Sequence, residues 1–266
     1  MAGSRDTDQA DERAPGLGTF AGVFTPSILT ILGIILFLRL GFVVGSGGLR
    51  NALVMIALAT AVSVLTSISL AAIATNMDVR GGGDYDLISR TLGVEFGGAI
   101  GIVHYLAQAV SIAFYAVGFG EAVSGMAGWT WSLAPQVIAA VAVIGLFWFA
   151  WAGADVASRF QFVVMALLIG ALVSFYLGAI GSYDPGTARS ALSPAEGSLG
   201  FWAVFAIFFP AVTGFTQGVS MSGDLRDAGK SLPLGTFVAV GLSTVVYVSV
   251  AILMAGTAAQ DDLVAD

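Results

Sequence analysis

The sequence predicts an all-α integral membrane protein, and three observations carry that prediction. Of the 266 residues, 57% are hydrophobic and only 10% charged, with a mean hydropathy of +0.92, far from water-soluble averages. The apolar residues gather into runs of about 20, each long enough to cross a hydrocarbon core of about 30 Å as a helix. Between the runs stand loop-forming breaks: Gly45-Ser-Gly-Gly48, Gly81-Gly-Gly83, Gly125 to Trp131, and Asp184-Pro-Gly186.

Taken in order, these signals place spanning segments at 19–45, 50–77, 94–126, 133–152, 160–181, 199–222 and 233–256. Pro135 and Pro233 are read as lying at helix starts, where a missing N–H costs nothing. The expected organisation is an acidic cytoplasmic tail over 1–18, a membrane domain of about seven helices over 19–256, and a short acidic tail over 257–266. Short basic loops stay in the cytoplasm. An N-inside start puts Arg5, Arg13, Arg80, Arg90, Arg159, Arg226 and Lys230 inside and leaves Arg50 and Arg189 outside. That arithmetic expects a multi-pass plasma-membrane protein with a cytoplasmic N-terminus. No cleaved leader is expected, because residues 1–18 are polar and the first apolar run exceeds a signal-peptide core. The net charge of −7 is read as solvated ends, since Asp6, Asp8, Asp11, Glu12, Asp261, Asp262 and Asp266 supply much of it.

Gly93, Gly97 and Gly101 have the spacing that lets helix backbones approach. Trp129, Trp131, Trp148, Trp151 and Trp202 fall near helix ends, as interfacial anchors do. Arg39 and Glu121 are read as pairing or snorkelling near the outer ends of their helices. Because His104 is the one histidine and cysteine is absent, a metal centre of nitrogen and sulfur ligands is not expected, and His104 is read as hydrogen-bonded in the core. No nucleophile–base arrangement, phosphate cradle or paired intramembrane carboxylate appears, so an enzyme is not expected. Neither a cofactor nor nucleic acid is expected as a partner; the lipid bilayer is.

Two spans carry breakers that a plain membrane helix has little reason to contain. The first reads Gly22-Val-Phe-Thr-Pro26-Ser-Ile-Leu-Thr30-Ile-Leu-Gly33, and the sixth reads Phe208-Phe-Pro210-Ala-Val-Thr213-Gly214-Phe-Thr-Gln-Gly218. Unwound helix is tolerated in a membrane only where protein buries it or it lines a polar cavity. There, half-helix carbonyls attract cations and half-helix amides attract anions. The residues alone leave two readings open: an ion site, or a pair of proline-kinked helices with no ligand.

Four stretches resemble the cation-chloride cotransporters of the amino acid-polyamine-organocation superfamily. They are Gly18-Thr-Phe-Ala-Gly-Val with Ile34-Ile-Leu-Phe-Leu-Arg-Leu; Ser69 to Asn76 running into Arg80-Gly-Gly-Gly-Asp-Tyr-Asp-Leu-Ile-Ser-Arg90; Glu95-Phe-Gly-Gly-Ala-Ile-Gly101; and Phe208-Phe-Pro-Ala-Val-Thr-Gly214 with Ser222-Gly-Asp-Leu-Arg-Asp227. The resemblance implies the first part of a five-plus-five inverted-repeat transporter fold with broken first and sixth helices. It also implies a potassium site from backbone oxygens near Thr30 and Ile31, the Tyr115 hydroxyl, the Pro210 carbonyl and the Thr213 hydroxyl. Where the family commonly has asparagine, this chain has Thr30. Chloride is implied at amides of Gly33, Ile34 and Ile35 and, for a second site, of Gly214, Phe215 and Thr216. Sodium would use carbonyls near Leu29 and Leu32 with hydroxyls from an eighth helix, and the second chloride a tyrosine from a tenth. The expected function is symport of chloride with potassium, with or without sodium, incomplete in a single chain of seven helices, so that a second-half chain or a homodimer is an expected partner. The rivals are an amino acid permease of the same superfamily, although Thr30-Ile-Leu-Gly33 lacks the Gly-Ser-Gly-type stretch of that group, and a non-transporting half protein or assembly subunit.

Overall fold

The computed structural model describes residues 16–77, 82–152 and 154–265. Most of the 1–18 tail, with Arg5 and Arg13, lies outside the described residues, as do Arg80, Gly81 and Asp266. Seven helical stretches are long and apolar enough to span a membrane: Phe20–Leu38, Leu40–Asn76, Val94–Met126, Ala134–Trp151, Arg159–Ser182, Phe201–Ser220 and Ala228–Thr257. Among the described residues the chain is otherwise helical or loop, apart from one isolated bridge between Leu17 and Leu225. The predicted all-α membrane fold and its seven spans are therefore present.

The first span is built of pieces. A π-turn over Phe20–Phe24 leads into α1 (Thr25–Ile31), and after Leu32 and Gly33 the chain resumes as α2 (Ile34–Leu38). Pro26 has no N–H to offer the carbonyl of Gly22, four residues back, and the backbone widens to π spacing there. The first span ends earlier than the predicted residue 45, because Arg39 leaves helical geometry (φ −132°, ψ −18°) before α3 (Leu40–Asn76) begins. The predicted Gly45–Gly48 break lies inside α3, where Gly48 alone turns to φ 73°, ψ 150°. Glycine is required at that position twice over, since a side chain would also run into the backbone of Ser193 and Pro194.

Beyond α3 come α4 (Gly83–Leu92), α5 (Val94–Met126), α6 (Ala134–Ala152) and α7 (Ala154–Ser182). Gly93 is not part of a packing stripe: it joins α4 to α5 at φ 108°. Gly97 does serve close approach, for a Cβ there would overlap the Ser89 hydroxyl on α4. The predicted Asp184-Pro-Gly loop contains a short helix, α8 (Pro185–Ser190), because the Asp184 carboxylate accepts hydrogen bonds from the Thr187 N–H at 2.7 Å and its hydroxyl at 2.9 Å. The sixth span is α9 (Phe201–Phe208), a 3-10 run over Phe209–Thr216, and α10 (Gln217–Ser220). Then α11 (Ala228–Thr257) starts five residues before Pro233, which lies inside the helix rather than at its start. The Asp227 carboxylate, accepting from the Lys230 N–H at 3.1 Å, caps the helix upstream of the proline. A final short helix, α12 (Gln260–Ala265), packs against α3.

The core is assembled chiefly from spans one, two, six and seven, with Ile28, Leu36, Met55, Val204, Phe208 and Tyr247 among its buried members. Spans three to five leave Tyr105, Leu146, Trp148 and Leu177 exposed. Across the end from which span one starts, the Leu17 N–H donates to the Asp224 carbonyl at 2.7 Å and the Arg226 N–H to the Leu17 carbonyl at 3.0 Å. The start of span one and the exit from span six therefore share one face of the molecule, as an even number of crossings requires.

Candidate ion site at the broken helices

The two interruptions meet. Leu32 (φ −83°, ψ 38°) and Gly33 (φ −86°, ψ −149°) separate α1 from α2, and the 3-10 run of span six lies directly against α1. Gly214 touches Thr30 so closely that a Cβ on it would overlap the Thr30 side chain. Glycine is what allows the two backbones to come together there.

Several carbonyls at the breaks accept hydrogen bonds from hydroxyls. Ser27 donates to the Phe215 carbonyl at 3.2 Å, Ser63 to that of Val212 at 3.0 Å, and Tyr247 to that of Ile31 at 2.8 Å. The Thr213 hydroxyl donates to the Pro210 carbonyl at 2.8 Å, so these two sequence-predicted oxygens sit side by side. The Thr30 hydroxyl donates within α1, to the Pro26 carbonyl at 2.8 Å.

A cavity of about 700 Å³ opens beside the break in span one. Six predicted residues line it: Leu29, Thr30, Leu32, Gly33, Ile34 and Tyr115. Pro210, Thr213, Gly214, Phe215 and Thr216 do not line it; Pro210 and Thr213 are exposed, whereas Ile31, Ile35 and Phe215 are buried. The structure thus gathers five of the seven predicted first-span positions and Tyr115 around one space, leaves Ile31 and Ile35 buried outside it, and sets the sixth-span positions behind Thr30, joined through Gly214. Gln161 and Gln217 add polar groups to the cavity wall, and Tyr247 and Ser63 brace the site from spans seven and two. Sequence reasoning missed these four. Their signal was present, since each is a polar residue within an apolar run.

Arg39, Glu121 and His104 do not line this cavity. Arg39 and Glu121 pair at 3.8 Å with both side chains substantially exposed, a weak contact of the kind expected at a helix end. His104 lies 3.4 Å from the Gln108 side chain and borders a separate cavity of about 340 Å³ with Asp84 and Ser220. Burial pushes the Asp84 carboxyl above its ordinary range, and the nearby His104 charge opposes that shift. Among the described residues no group of His, Cys, Asp or Glu could hold a metal ion.

Seven apolar spans, two of them broken and abutting, make up the described fold, and residues 22–266 match the amino acid permease family. The chain belongs to that family and is a multi-pass membrane protein. Its relatives include solute carrier family 12 member 1 of Mus musculus, 35% identical with 98% of this chain and 26% of the relative covered. Solute carrier family 12 member 2 of Danio rerio is 38% identical with coverages of 88% and 22%, and member 2 of Homo sapiens is 36% identical with 92% and 22%. The resemblance to the cation-chloride cotransporters carried by the four sequence stretches is upheld along almost the whole chain. The chain spans about a quarter of the length of the curated relatives it matches.

Proposed function

We propose that this chain forms the ion-binding core of a symporter that moves chloride with potassium, with or without sodium, across the plasma membrane, its N-terminus in the cytoplasm. The observation that carries the reading is the meeting of two interrupted helices at Thr30 and Gly214, beside a cavity bordered by Thr30, Gly33 and Tyr115. Potassium is assigned to the oxygens of Thr30, Ile31, Tyr115, Pro210 and Thr213. A carbonyl has two lone pairs, so Ile31 can accept from Tyr247 and still face a cation. Chloride is assigned to the amides of Gly33, Ile34 and Ile35, the first of which have no acceptor within α2, and to those of Gly214, Phe215 and Thr216. Sodium is assigned to the Leu29 and Leu32 carbonyls.

Turnover, in this reading, also uses an eighth and a tenth helix, whether joined to these seven in one polypeptide or supplied by a partner chain; the seven spans alone bind ions without moving them. The test is rubidium uptake into vesicles bearing the active assembly, with chloride or gluconate outside. Uptake is expected to need chloride, and Tyr115→Phe is expected to weaken rubidium affinity about tenfold while helix content is unchanged, as for the loss of one hydrogen-bonding group to a charge. Uptake of amino acids without chloride dependence would establish the permease alternative instead.

A further inference from the structure

A third and much smaller void, of about 10 Å³, is lined by the last residue of α1, the 3-10 run, α3 and α11. Five of its eight lining residues carry hydroxyls. Ile31 and Val212 border it from the two broken helices, Thr60 and Ser63 from α3, and Ser243, Thr244 and Tyr247 from α11. The side chains of Ser63, Ser243 and Tyr247 are almost completely buried.

The hydroxyl protons in this wall are nearly all committed. Tyr247 gives its proton to the Ile31 carbonyl at 2.8 Å, Ser63 to the Val212 carbonyl at 3.0 Å and Thr244 to the Val240 carbonyl at 2.8 Å. Thr60 and Thr244 lie 3.3 Å apart, and because the Thr244 proton is already engaged, Thr60 is the donor. Ser243, only 1% exposed, has an Oγ with no partner in the structure. Apart from the Ser243 proton, which has no acceptor, what remains free around the void is lone pairs, and a buried hydroxyl without a partner is a costly arrangement unless something completes it.

A small positive occupant would engage these lone pairs, with the Ser243 proton turned away from it. Water needs a void of at least about 10–15 Å³ on this measure, so this one is at the lower limit, whereas a dehydrated sodium ion is smaller than a water molecule. The ligands are neutral hydroxyls and carbonyls, which suits one charge rather than two. Ile31 ends a half-helix, whose terminal carbonyls carry partial negative charge, and the Val212 carbonyl is in the unwound run.

We propose that Ser243, Ser63 and Tyr247, with the carbonyls of Ile31 and Val212, form a binding site for one dehydrated monovalent cation of sodium size. It shares only the Ile31 carbonyl with the potassium positions assigned above and needs no residue outside these seven spans. A bound ion would join both broken helices to spans two and seven. The assignment does not rest on chloride coupling.

The test is equilibrium binding of radioactive sodium to the purified full chain in detergent, with choline as the inert cation, together with thermal unfolding in each salt. Saturable binding is expected, displaced by lithium but not by equal potassium. Ser243→Ala is expected to weaken it by about tenfold or more, as for a lost group that contacts a charge. In choline the same variant should unfold at the same temperature or higher, since it removes an unpartnered hydroxyl. Ser63→Ala is the second ligand variant, and Phe147→Ala, on the exposed fourth span, is expected to leave sodium binding intact. Wild-type sodium affinity in folded Ser243→Ala and Ser63→Ala, or equal displacement by potassium, would overturn the proposal. So would a folded wild type without saturable sodium binding, which would mean the void holds water only. Chloride-independent rubidium uptake would defeat the transport reading and leave the sodium result standing.

Discussion

The first and fifth spans are comparably apolar, yet 56% of the most apolar stretch of the first is buried inside the protein against 6% of that of the fifth. The sixth span, less apolar than either, is 39% buried. Hydropathy therefore does not decide which helices face protein and which face lipid. For spans one and six the breakers add a reason for burial: they contain Pro26, Gly33, Pro210 and Gly214, and a backbone interrupted in this way needs protein around it to supply the lost hydrogen bonds, whereas span seven, one continuous helix, is also 39% buried. Here that supply comes from Ser27, Ser63 and Tyr247. Uninterrupted spans three and five satisfy their own backbones and are left on the outside.

The contrast is most sharply tested by truncating one phenylalanine in each region. Phe208 on the broken sixth span is 0% exposed and Phe147 on the fourth is 61% exposed. Phe208→Ala should cost about 3–5 kcal/mol of stability, and Phe147→Ala about 0.5 kcal/mol or less, by thermal or denaturant unfolding in matched detergent. Equal losses would break the comparison. A smaller effect is expected from overfilling: Gly214→Val should cost about 1–3 kcal/mol by forcing Thr30 away. Gly145→Ala, where a Cβ meets open space, should be neutral or stabilise by up to about 1 kcal/mol. Arg39→Gln removes an exposed ion pair, so stability should change by less than about 1 kcal/mol, and chloride-dependent uptake by the assembly should persist if amides hold the anion.

The smallest effect concerns the joint between the exposed fifth span and the buried seventh, where the Asp184 N–H also donates to the Gly256 carbonyl at 2.8 Å. Hydrogen bonds from the Thr187 N–H and hydroxyl hold the Asp184 carboxyl below its ordinary value. A depressed folded-state pKa stabilises above the unfolded-state value, and that contribution fades as pH falls through the lowered value. The unfolding temperature of the wild type should therefore drop slightly more than that of Asp184→Asn as the buffer is acidified through the aspartate range.

The spans were legible in the sequence because length and apolarity are local properties: 94–126 and 160–181 fall within a residue of Val94–Met126 and Arg159–Ser182. The interruptions at Gly33 and over Phe209–Thr216 were legible too, through Pro26, Gly33, Pro210 and Gly214. The start of α11 was misplaced because the Asp227 cap outweighs the proline as a boundary signal. Tyr247 and Ser63 went unread as partners of Ile31 and Val212 because each bond spans well over a hundred positions in the chain, and no periodicity within one helix records which carbonyl on another has lost its donor. The division of the predicted site into cavity-lining first-span residues and a sixth-span group behind Thr30 likewise depends on how the helices dock.

The short backbone tie between Leu17 and residues 224–226, reinforced by the Thr19 hydroxyl donating to Ser231 at 3.0 Å, has a mechanical consequence. It works as a clasp, joining the polypeptide just ahead of one interrupted helix to the polypeptide just behind the other. A tilt of either helix at that face would load its mate through these main-chain bonds.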